Sequence, residues 1–119
     1  VLAGTALELE VARIINLNKG LLFGNTLHLD GARLDNAGGT LASQNNLSVL
    51  LTGALDNTGG LLSSEAALSV TADSLQNAKG SLSSAYALKI DTTGALFNQY
   101  GSVTTDSTLT ISSASLDNS

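Results

Sequence analysis

The 119-residue chain has no cysteine, proline, methionine or tryptophan, and one histidine. Without cysteine there is neither a disulfide framework nor a thiolate metal site. That says nothing of compartment, since an exported protein can dispense with disulfides when its fold is otherwise stable. Charge is also scarce. Charged residues make up 13% of the chain, well under the average of about 25%. Only five are Lys or Arg, and the net charge is -5. Nucleic acid and anionic membrane surfaces are therefore excluded as partners, because both require clustered cations. No apolar run approaches the roughly 18 residues of a membrane-spanning helix, so no membrane insertion is expected. There is no basic segment followed by an apolar one at the start, hence no signal peptide. Val1 begins in mid-pattern, and with no initiator Met the chain reads as a piece of something longer.

What is present is small, neutral and repetitive. Gly, Asn, Ser and Thr supply the polarity, and 43% of residues are hydrophobic, enough for a real core. The stretch Leu34-Asp35-Asn36-Ala37-Gly38-Gly39-Thr40-Leu41 returns as Leu55-Asp56-Asn57-Thr58-Gly59-Gly60-Leu61-Leu62. It returns again, altered, at Leu75–Leu82 and Leu96–Val103, and begins once more at Leu116-Asp117-Asn118. Self-similarity at a period near 20 decides the architecture before any local signal does.

Stacking the copies without gaps produces four aliphatic columns. The first is Ile14, Leu34, Leu55, Leu75, Leu96 and Leu116, and the second Val1, Leu21, Leu41, Leu62, Leu82 and Val103. The third is Leu7, Leu27, Leu47, Leu68, Leu88 and Leu109, and the fourth Leu9, Leu29, Val49, Val70, Ile90 and Ile111. A fifth column is Asn throughout: Asn16, Asn36, Asn57, Asn77, Asn98 and Asn118, at spacings of 20, 21, 20, 21 and 20. The third and fourth columns are two residues apart, so they share one face of a strand and leave Glu8, His28, Ser48, Ser69, Lys89 and Thr110 pointing outward. Helix is the wrong reading, because apolar residues do not recur at three and four. The Asn-x-x-Gly segments read as turns, where Asn and Gly accept positive φ. The extra residue of the longer copies falls in Leu50–Ala54 and Asp91–Ala95, corners expected to be surface loops.

A 20-residue unit cannot bury its own apolar row, but stacked units can. The expected fold is all-β: a right-handed parallel β-helix of about six coils with 20–21 residues per coil. Right-handedness is expected from the handedness of parallel crossovers. The coils fall near 1–13, 14–33, 34–54, 55–74, 75–95 and 96–115, within one segment of a longer shaft. In such a stack the six asparagines form a structural ladder, amide to amide, that also serves turn backbone groups.

The pattern Leu-Asp-Asn-x-Gly-Gly-x-Leu, followed by a Leu-x-Val/Ile pair, resembles the filamentous haemagglutinin repeat. The likeness is strongest over residues 32–118. Residues 1–31 keep the columns, but Ile14–Gly20 retains the Asn and shifts the Gly by one. The resemblance implies a shaft of a bacterial two-partner-secretion exoprotein, an adhesin or a contact-dependent-inhibition stick. It also implies passage through an outer-membrane transporter and display at the cell surface. The host or neighbouring-cell surface would then be met by regions outside this segment.

Chemistry-bearing residues are few. A lone outward His28 is no metal site. Glu10 below Asp30, with Glu8 nearby, is a carboxylate pair that more simply keeps a long repeat soluble than binds Ca2+. Asp35 and Asp56 stack at a turn and serve its geometry, while Arg13 and Arg33 stack where they can meet acids. No nucleophile elbow or triad exists, so neither enzyme activity nor a cofactor is expected. The alternative to a purely structural role is a binding module, gripping a carbohydrate or host protein with its side. Tyr86, Phe97 and Tyr100 are the aromatic residues that could serve it.

Overall fold

In the computed structural model, residues 6–10, 12–16 and 19–118 are described, and they form seventeen short strands and no helix. The first sheet contains β1 (Ala6–Glu10), β4 (Thr26–Gly31), β7 (Leu47–Leu51), β10 (Leu68–Ala72), β13 (Leu88–Thr92) and β16 (Leu109–Ser112). The second contains β2 (Arg13–Ile15), β5 (Arg33–Asp35), β8 (Ala54–Asp56), β11 (Ser74–Gln76), β14 (Ala95–Phe97) and β17 (Ser115–Asp117). The third contains β3 (Leu21–Gly24), β6 (Thr40–Ser43), β9 (Leu61–Ser64), β12 (Ser81–Ser84) and β15 (Ser102–Thr105). Each strand pairs in parallel with its counterpart one coil away, never with its neighbour in sequence. The chain is thus a β-solenoid of about five turns, with β1 and β2 standing before the first complete one. The expectation of about six coils differs slightly from this, because among the described residues the third sheet has five strands rather than six.

Register follows the columns. Leu68 pairs with Leu47 and Leu88, and Val70 with Val49 and Ile90. Leu34 pairs with Ile14 and Leu55. Their side chains fill the interior as a continuous aliphatic core, from Ile14 and Leu22 through Leu96. The period-2 alternation of inward aliphatic and outward polar residues fixes this register, because a one-residue slip would turn each apolar row to solvent.

Two expectations need correction. Leu21 does not belong to the second column: it pairs with Thr40 and is exposed, while Leu22 pairs with Leu41 and is buried. The first turn holds one residue more between Asn16 and its Gly than the later turns do, and the corner after β3 is one residue shorter. Ungapped stacking could not see a shift that cancels within a single coil. The corners of the longer copies are also tighter than expected. Leu51 and Thr92 are strand residues facing inward, and only Thr52-Gly53 and Thr93-Gly94 bend outside the strands.

Candidate functional site

The most ordered polar feature is the row of asparagines. Each Nδ2 donates to the Oδ1 one coil further on: Asn16 to Asn36, Asn36 to Asn57 and Asn57 to Asn77 at 2.8 Å, then Asn77 to Asn98 and Asn98 to Asn118 at 2.7 Å. Asn36, Asn57 and Asn77 are fully buried, whereas Asn118 is exposed. An amide has two N–H groups, and Nδ2 also meets backbone carbonyls. Asn57 Nδ2 lies 3.3 Å from the Gly60 carbonyl and 3.1 Å from that of Ser81. Asn36 serves Gly39 and Leu61 in the same way, and Asn77 serves Gly80 and Ser102. Among the described residues no buried side-chain polar atom lacks a partner.

The turn around each ladder residue explains its two glycine positions. Gly39, Gly60, Gly80 and Gly101 donate their N–H back to the carbonyl of the Asn three residues earlier. The residue before each carries positive φ: Gly38 at 71°, Gly59 at 65°, Lys79 at 58° and Tyr100 at 55°. With no positive φ at the preceding residue, this is the signature of a type II turn. The positive-φ position accepts other residues at a conformational cost. The next one accepts none, for a different reason. A Cβ on Gly60 would strike the Asn36 carbonyl oxygen of the neighbouring coil and lie 2.6 Å from Asn57 Oδ1. Gly80 and Gly101 meet the same obstacle. One glycine is there for φ, the other for the approach of two coils.

A second polar row went unread in the sequence. Ser43, Ser64 and Ser84 face inward from the ends of β6, β9 and β12 and are buried. Ser43 and Ser64 Oγ both donate to the Asn45 carbonyl, at 2.7 and 2.6 Å, and Ser84 Oγ to that of Tyr86 at 2.8 Å. These hydroxyls satisfy corner carbonyls that would otherwise be buried unpaired. The available signal was position: each Ser lies two residues after a second-column aliphatic, on the same face of its strand.

Arg13, Arg33 and Asp35 come together. Arg13 donates through Nε and Nη2 to Asp35 Oδ2 at 3.1 and 2.7 Å, and Arg33 approaches Oδ1 at 3.0 and 2.9 Å. Burial pushes the Asp35 carboxyl up, but hydrogen bonds from Arg33 and Arg13, reinforced by their charges, outweigh it and hold the group below its ordinary 3.8. Asp35 therefore closes an ion-pair clamp. Asp56 instead accepts from Thr58, from the backbone N at 3.0 Å and from Oγ1 at 2.6 Å. The difference lies one pleat away, where Arg13 and Arg33 are followed in their column by Ala54 and Ser74.

The other candidates stay apart. His28 is half-buried on the outer face, in register with Glu8 and Ser48, and Glu10 is in register with Asp30. No group of three His, Cys, Asp or Glu able to hold a metal occurs among the described residues. Tyr86 sits at the corner between β12 and β13, away from the turn that carries Phe97 and Tyr100. Tyr100 is 83% exposed, and Phe97 lines a shallow hollow of about 250 Å3 with Gln76, Ala78 and Gln99.

A family model described as "Haemagglutinin repeat" matches the chain twice, over residues 2–59 and 56–119. No curated protein and no solved structure matches it.

Proposed function

The chain belongs to the haemagglutinin repeat family, and from that premise we propose that it is a shaft segment of a secreted bacterial surface filament. Its work is mechanical: it holds a distal binding or toxin region away from the producing cell. The family is a structural repeat, typical of secreted or surface-exposed proteins, rather than an enzyme family. The observation that carries the reading is the strict one-dimensionality of the packing. Every strand pairs only with the equivalent strand of adjacent coils, and the buried amides run the length of the stack without interruption.

Such a stack transmits position along its axis and can be lengthened by adding coils, since stability is roughly a sum of coil and interface contributions. It also suits export through an outer-membrane transporter as an extended chain, with each emerging coil folding on the last.

The test is the size and location of the native parent chain, followed with an antibody to this segment on fractionated source cells. A very large chain in the medium or at the cell surface is expected. A small chain confined to the cell interior would overturn the proposal.

A further inference from the structure

The outer face of the third sheet carries no charge. None of the chain's acidic or basic residues lies in β3, β6, β9, β12 or β15, although the other two sheets, the corners and the turns all bear them. Two outward rows make up this face. One begins at Leu21, which is exposed, and passes through Thr40 and Leu61; the other begins at Phe23 and passes through Ala42 and Ser63. Both rows continue in hydroxyls, and Ser81 and Ser102 Oγ lie 3.3 Å apart along the first. Hydroxyls that bond one another along a row keep a partner when water is expelled, so covering them costs little. Depletion of charge at the centre is the compositional mark of a protein interface.

The edges of the face decide what fits it. On the turn side stands Lys79, just before β12; on the corner side stand Glu65, just after β9, and Asp106, just after β15. All three are exposed, and among the described residues the ion pairs are those of Asp35, so none of the three is engaged. A second copy can be turned half a revolution about an axis parallel to the stack and laid on the face. Its strands then run opposite to those beneath, and its corner edge lies over the first copy's turn edge. Because β12 stands between β9 and β15, Lys79 falls between Glu65 and Asp106 of the second copy, about one 4.8 Å rung from each along the axis. Leu21 opposes Phe23 of the second copy, and the serine rows oppose each other. With the two stacks antiparallel, Glu65 would instead meet its own copy, and Leu21 and Phe23 would meet Ser102 and Thr104.

We infer that the third sheet is the surface by which two copies of this chain pair side by side, with their stacks parallel. The arrangement is aligned packing of one sheet on another, and a second copy is the partner whose rungs match this face at every step. Five strands about 4.8 Å apart, each of four residues rising about 3.3 Å, make a face of roughly 300 Å2, so a pair covers roughly 600 Å2. That lies below the 1,000 Å2 or so that a firm interface needs. Pairing of this chain is therefore weak and reversible, and it strengthens with each coil that joins the contact. This pairing goes beyond the shaft role and does not depend on it.

The test is sedimentation equilibrium of the 119-residue chain at concentrations up to about 1 mM, where a dimer with a dissociation constant of roughly 0.1–1 mM is expected. Ser63→Glu, at the centre of the face, should weaken pairing at least about tenfold. Ser83→Glu, one coil further on, serves the same purpose should Ser63→Glu fail to fold. Ser69→Glu adds the same charge to the outward face of the first sheet and should leave pairing unchanged. Lys79→Glu should weaken it severalfold. Adding Glu65→Lys to that variant should recover part of the loss, whereas adding Asp73→Lys, the same charge change at the far corner, should recover none. A chain that stays monomeric throughout, or pairing that the central glutamate leaves intact, would overturn the inference. So would equal weakening by Ser69→Glu, or equal recovery by Glu65→Lys and Asp73→Lys, since each would reduce the effect to net charge.

Discussion

Replacing Asn57 by Ala tests the asparagine row at its centre. The fully buried side chain accepts from Asn36 and donates to Asn77, Gly60 and Ser81. Truncation strands one N–H of Asn36 and the Oδ1 of Asn77, both buried. Each orphaned group costs about 1–3 kcal/mol, so the expected loss for the two is about 2–6 kcal/mol. At about 4 °C per kcal/mol for a chain of this size, the melting temperature should fall by about 8–24 °C. Asn118→Ala is the internal control. It removes the single bond from Asn98 at an exposed end, and about 1 kcal/mol or less is expected. Both are measured by urea and thermal unfolding followed by far-ultraviolet circular dichroism. If the two substitutions cost the same, the amides are independent surface-like bonds, and the reasoning from a shared buried row is wrong.

The two glycines of one turn should separate cleanly. Gly59→Ala finds open space around its Cβ but keeps φ 65° and should cost about 1–2 kcal/mol. Gly60→Ala must push two coils apart and should cost more than about 3 kcal/mol or fail to fold; equal unfolding midpoints would refute the distinction. Leu75→Ala, in the sealed interior, should cost about 2–5 kcal/mol, against a small fraction of that for Leu116→Ala at the open end, by the same unfolding assay. For the clamp, the Asp35 carboxyl titrates lower folded than unfolded. Its stabilisation is therefore full above the ordinary value of about 3.9 and is lost as pH falls through the lower folded value. Melting curves of wild type and Asp35→Asn should differ at neutral pH and converge in that acid window; a gap that persists below it would refute the charge argument.

Much of the fold was legible because the repeat makes one pattern testable six times over. The pairing of Leu47, Leu68 and Leu88, and of Asn36 with Asn57, follows from ungapped counting. Leu21 was misplaced because an insertion and a deletion cancel inside one coil, leaving Asn16 and Leu27 in step on either side. The serine row escaped because a buried Ser and a solvent-facing Ser look alike until their strand face is counted. Arg13, Arg33 and Asp35 were each seen to stack, but which acid the arginines would take depends on side-chain reach, which a column of letters does not contain. Phe97 and Tyr100 stood out in the sequence only as stray aromatic residues, because the pairing of Phe97 with Gln76 and the positive φ of Tyr100 depend on how the coils stack.

The asparagine row also has a direction. Every amide gives its hydrogen toward the C-terminal side and receives on the other, so the amide dipoles point one way like arrows on a line. A coil set into the stack upside down would bring two donors or two acceptors face to face. When a chain folds from its N-terminal end, the newest coil presents an N–H that the side-chain carbonyl of the next asparagine accepts only when that coil is correctly oriented. The growing end thus carries a template for its own continuation. Because the row is polar, that template reads the same way at every step, and a filament built from it has a distinguishable head and tail along its entire length.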